Sequence, residues 1–142
     1  MRTSALLEEL ASRLLANNVI SMQNDFAGAN MPPLRVDETD FWIHENYLGH
    51  SVSPFNAQRK RIFYTMVQYN LYVPFGSGTM KLDEKTSLME KTFDPNDPSA
   101  SDIMGDGFTA KIISLKVDED MAVGEWWMRP VLVNIAVDPH EE

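Results

Sequence analysis

Between Arg59 and Phe93 the chain alternates, breaks at a proline and then turns periodic, and this succession limits its fold more than any other stretch. In RKRIFYTMVQYNLYVPFGSGTMKLDEKTSLMEKTF, Phe63, Thr65, Val67, Tyr69, Leu71 and Val73 fall on one side of an alternation. Ile62, Tyr64, Met66, Gln68, Asn70 and Tyr72 fall on the other. Alternation rich in β-branched and aromatic residues predicts a strand that is well buried on its first face. Pro74 ends it, because proline brings no N–H to a ladder. Gly76 and Gly78 supply the backbone freedom that a reversal needs. Thr79 is placed to cap the following helix, and Asp83 and Glu84 suit its positive end. Leu82, Thr86, Met89 and Phe93, at i, i+4, i+7 and i+11, give that helix one buried stripe.

The flanking segments add a second helix and more strands. Leu6, Leu7, Leu10, Leu14 and Leu15 predict a helix over residues 3–17, with Asn17 and Asn18 as terminators. Val19 to Met22 suits a short strand, and residues 23–33, with Gly28 and Pro32-Pro33, suit a loop. Phe41 to Leu48 alternates as a strand, and 49–58 reads as a long loop. Residues 94–107, DPNDPSASDIMGDG, read as a solvated loop. Phe108 to Val117 and Trp126 to Val137 then form strands on either side of a DEDMAVG turn, and Pro130 favours an edge position or a bulge for the last one. The order α-β-β-α-β-β predicts an α+β single domain: a mixed or antiparallel sheet of about four strands with two helices on one face. The opposite face would carry Tyr64, Met66, Tyr72, Trp126 and Met128, and so much apolar surface points to association.

At 142 residues the chain is long enough for one domain with a genuine core. No apolar run approaches the ~18 residues of a membrane span, and the acidic residues in MRTSALLEELASRLL argue against a secretion signal. Zero cysteines exclude disulfides, thiolate metal sites and thiol catalysis. The net charge of −9 opposes binding to a nucleic-acid backbone. Arg59, Lys60 and Arg61 form the one basic cluster, either a solvated strand end or a contact with an acidic partner surface.

Catalytic and ligand motifs fail on spacing. GSGTMK lacks the Gly-Lys-Ser/Thr ending of a phosphate loop, so it reads as a strand–helix turn. In HENYLGH, Leu48 occupies the position where a zinc-protease helix needs its second histidine. Neither 94–106 nor Asp118-Glu119-Asp120 has the glycine of a calcium loop at its required place. No Gly-x-Ser-x-Gly elbow is present among the serines. The residues therefore propose no catalytic group, metal or cofactor, and the chain is expected not to be an enzyme.

The segment IFYTMVQYNLYVPFGSGTMKLDEKTSLMEKTF resembles the central strand, the V-P-x-G-x-G-T turn and the second helix of phage tail terminator-like proteins. The leucine-rich first helix, the loop with Asn24 and Pro32-Pro33, and the final Trp-x-Arg-Pro-Val strand (Trp127 to Val131) are similar as well. The resemblance runs over most of the chain, with Val73 to Thr79 its most specific part. It implies a virion structural protein that forms a six-membered ring on the last ring of the tail tube and stops its growth. The ring would then receive the head or its connector, with genomic DNA passing through without specific binding. Six copies at −9 each would carry −54, and an acidic lumen repels phosphates. A ring needs two different complementary patches on every subunit. The expected interface residues are Arg59, Lys60, Arg61, Tyr64, Tyr72, Asp94, Asp97, Asp102, Asp106 and Trp126, with the basic cluster and the acidic 94–106 loop as one candidate pair. The alternatives are a head–tail joining protein, or a small ligand-binding domain with Tyr64, Trp126 and Trp127 around a pocket.

Overall fold

In the computed structural model, residues 3–20, 26–27, 41–52, 62–105 and 107–139 are described. The alternating stretch is strand β3 (Phe63–Pro74), with Thr65, Val67, Tyr69, Leu71 and Val73 buried. It pairs antiparallel with β2 (Trp42–Val52) on one side and β7 (Trp126–Pro139) on the other, so Tyr69 lies between Glu45 and Val131. Beyond β7 come β5 (Phe108–Val117) and the short edge strand β4 (Asp102–Gly105), and beyond β2 comes the two-residue β1 (Phe26–Ala27). β6 (Met121–Val123) also pairs with β7. Among the described residues the sheet thus has seven strands, of which only β1 pairs in parallel.

This corrects the expected four-strand sheet. Strand accounts for about 50% and helix for 31% of the described residues, a mostly-β fold. The extra strands are β1, β4 and β6, each of four residues or fewer, inside segments read as loops or turns. Runs this short carry too few alternations to signal a strand. β2 also extends past Leu48 to Val52, across a register shift between Tyr47 and His50.

Pro130 is likewise not on an edge, since β7 is flanked on both sides. β5 pairs with Val131 to Pro139 and β6 with Trp126 to Met128, which makes them two pieces of one interrupted strand. At the interruption the Asp118 N–H donates to the Pro130 carbonyl at 2.9 Å. A residue's N–H and C=O point to the same side of an antiparallel strand, so the N–H that proline lacks would face this gap. The proline is tolerated where the ladder is already broken.

Helix α1 (Thr3–Ala16) buries Leu6, Leu10 and Leu14, while Leu15 is exposed. It ends in a Schellman motif: Asn18 takes φ 61, Val19 N–H donates to Leu14 O at 2.9 Å and Asn18 N–H to Leu15 O at 3.2 Å. Val19 and Ile20 are buried as part of this cap and not as a strand. After a 3₁₀ turn over Phe75–Ser77, α2 (Met80–Thr92) buries Leu82, Thr86 and Met89, with Phe93 beyond its end. Thr79 precedes it without a side-chain capping bond, contrary to expectation. Both helices share one core with the inner sheet face. The 94–107 segment, expected as a loop, holds α3 (Pro98–Ser101) and β4. Arg13 ties α1 to them, donating to Ala100 O at 2.6 Å and Asp102 O at 2.8 Å.

Candidate interfaces at the two ends of the sheet

The register lays out the sheet face turned away from the helices. One row runs Trp42, Tyr72, Met128, Met121 across β2, β3, β7 and β6. Trp42 stacks on Tyr72 with centroids 4.1 Å apart and meets Trp126 edge-on at 5.7 Å. Trp126 and Met128 are only 5% and 8% exposed. These two lie on the expected face, but they are not the open apolar surface foreseen for it. Trp42, which sequence reasoning did not single out, is the ring that both Tyr72 and Trp126 contact.

Eight residues along β3, roughly 26 Å at ~3.3 Å per residue, Tyr64 is exposed. It stands in a row with Ala136, Lys111 and Asp102. Beside that row is a groove of ≈ 330 Å³, lined in part by Ile62, Met104, Thr109 and Asp138. Tyr64 and Asp102, two expected interface residues, therefore share one row with two strands between them, and Tyr72 and Trp126 share the opposite end. Asp94 and Asp97 are used locally: Asp94 accepts from Asn96 N–H at 2.9 Å, and Asp97 caps α3 through Ser99 N–H at 3.1 Å. Arg59, Lys60, Arg61 and Asp106 lie outside the described residues, as does most of the loop around Asn24 and Pro32-Pro33.

The pocket foreseen around Tyr64, Trp126 and Trp127 is not assembled. Trp126 and Trp127 are consecutive in β7 and point to opposite faces, and Tyr64 pairs with Ala136, ten residues along that strand. Trp127 instead stacks against Phe75 at 4.5 Å, and Phe75 N–H donates to Glu125 O at 2.9 Å. These contacts join the β3–α2 turn to the β6–β7 hairpin as one tip. On it Phe75, Met121 and Val123 are exposed, and Met80 is 82% exposed.

Arg129 braces the tip from the helix side. It grips Asp120 with two hydrogen bonds, Nε to Oδ1 at 2.5 Å and Nη2 to Oδ2 at 2.8 Å. Its Nη1 reaches Asp83 at 2.7 Å and the Thr86 hydroxyl at 3.2 Å, both on α2. The hydrogen bonds to Asp120 raise its already high pKa further, so it is charged throughout the working pH range. At mid-sheet on the same side, burial pushes the Glu45 carboxyl up to about 7, partly opposed by the Tyr69 hydroxyl. Burial, and then the Glu45 charge, raise the Tyr69 phenol in turn.

No protein-family model and no curated protein matches the chain. Among solved structures 22 chains match. One, whose designation carries no functional description, aligns over 100% of this chain and 99% of its own, with a TM-score of 0.70 and 14% sequence identity. At that identity the likeness establishes a shared fold: a mainly antiparallel sheet with two longer helices on one side.

Proposed function

We propose that this chain is a virion structural protein of the tail terminator-like type, working by assembly and not by catalysis. Copies of it close the head-proximal end of a long phage tail tube as a six-membered ring and present the surface on which the head or its connector docks. The observation that carries the reading is the tip. Val73 to Thr79, the most specific part of the resemblance, builds one half of it and leaves Phe75 exposed, with Met80 exposed at the start of α2 and Met121 and Val123 exposed on the hairpin that forms the other half. Exposed apolar side chains on a braced tip suit burial against another surface. The groove end, with Tyr64 and Met104 exposed, supplies the second, different patch that a closed heterologous ring requires.

The test is to mix the purified protein with tail tubes assembled without a terminator. Binding at tube ends that halts further growth, seen by negative-stain microscopy, supports the reading. Binding to a portal or connector with none to tubes would point to a head–tail joining protein. A strict monomer that binds neither would remove the proposal.

A further inference from the structure

A second groove runs between α1 and β2, walled by Leu7, Ala11, Leu15 and Ile20, and it carries Glu8 from the helix and Glu45 from the strand. Its volume is ≈ 310 Å³, the lower limit of small-molecule sites at about 300 Å³, which suits one or two side chains. Among the described residues, the Glu45 Oε2 atom is shut off from water and has no hydrogen-bond partner. The ionisable groups around this carboxyl, among the same residues, are Tyr69 from β3 and Glu8 from α1, which lines the same groove. The cation of α1, Arg13, is engaged instead with the carbonyls of Ala100 and Asp102. A desolvated carboxylate with no cation beside it is costly until a positive group arrives, and apolar walls favour an apolar neighbour next to that group.

We propose that this groove docks a segment of a partner protein in which a Lys or Arg is flanked by apolar side chains, the cation seated against Glu45 and Glu8. The site lies on the helix side of β2 and does not depend on the tail-tube reading. The partner is defined by charge complementarity: two carboxylates and apolar walls among the groove's described residues, with no basic side chain among them.

The experiment follows the amide spectrum of the full chain during titration with the peptide acetyl-Leu-Leu-Arg-Leu-Leu-amide, and with its norleucine-for-arginine version. Saturable shifts confined to α1 and β2 are expected, with affinity at least about tenfold lower for the norleucine peptide and for Glu45→Gln. Binding should also weaken at about pH 5.5, where Glu45 holds its proton. Glu8→Gln, at an exposed helical position, is a second variant, expected to lose about threefold; it decides the matter if Glu45→Gln fails to fold. Equal affinity for the two peptides, or no binding at millimolar peptide, overturns the proposal. So does n-butylammonium binding as tightly as the peptide, which would make this a small-cation site. Concentration-dependent self-association abolished by Glu45→Gln would assign the groove to a second copy and overturn it as well.

Discussion

Glu45 follows Trp42 and Ile43 in β2, and it alone brings a carboxyl to the inner-face positions Ile43, Glu45 and Tyr47. The alternation places it on that face, but the depth of burial depends on α1, which no local pattern reports. Its pKa near 7, against an ordinary 4.5, means that the folded protein holds a proton which the unfolded chain releases between those values. Stability therefore falls as pH rises through that window and levels off above it. Glu45→Gln is expected to change little at about pH 5 and to stabilise by roughly 1–2 kcal/mol at about pH 8, with partial exposure limiting the gain. Urea denaturation at the two pH values checks this, and an equal effect at both would refute it. Arg129 is the opposite case, a charge with its partners in place. Arg129→Met strands Asp120 and leaves Asp83 to water, and should cost about 2–3 kcal/mol, less than for a fully buried pair. Arg129→Lys should recover less than half, since an ammonium cannot reproduce the two-pronged contact; the urea midpoint reads both.

Long elements were legible and short ones were not. β3, β5 and both longer helices stand where their periodicities place them, because ten or more residues average out single exceptions. β4 was hidden by the prolines and aspartates around it, yet it closes one edge of the sheet and pairs Gly105 with Phe108. A Cβ on Gly105 would run into the fully buried Phe108 ring, so small size is required there although its φ is ordinary. Gly105→Ala is expected to destabilise by about 1–3 kcal/mol through overpacking. Gly76→Ala, where an added Cβ meets open space, should change stability by no more than about 0.5 kcal/mol. Thermal melts of the two variants make the comparison, and equal losses would refute the steric account. The candidate sites followed the same rule. Alternation identified the face of Tyr64, Tyr72 and Trp126, but which of them is open was decided by Trp42, contributed by a different strand.

Over the whole molecule the net charge and the tip make opposite demands on assembly. Copies at −9 repel one another at low salt, and this repulsion fades as the Debye length shrinks to ~3 Å at 1 M. An apolar contact survives such screening, while a contact made by Arg59, Lys60 and Arg61 on the acidic 94–106 segment would weaken with it. Tip-driven assembly therefore predicts that self-association or tube-end binding strengthens as salt rises from about 0.02 M to 0.5 M; a basic–acidic pairing predicts the reverse. Met80→Asp tests the same point by mutation. With 82% of its surface in water, Met80 contributes little to the fold, so thermal stability should stay within about 0.5 kcal/mol of the parent. A carboxylate buried without a partner in an apolar contact costs several kcal/mol, enough to reduce binding about a hundredfold or more. Light scattering across the salt series, run on the parent and Met80→Asp together, reads both effects. If the variant assembles as well as the parent while salt weakens the two alike, the apolar tip is not the docking surface and the charged pair takes its place.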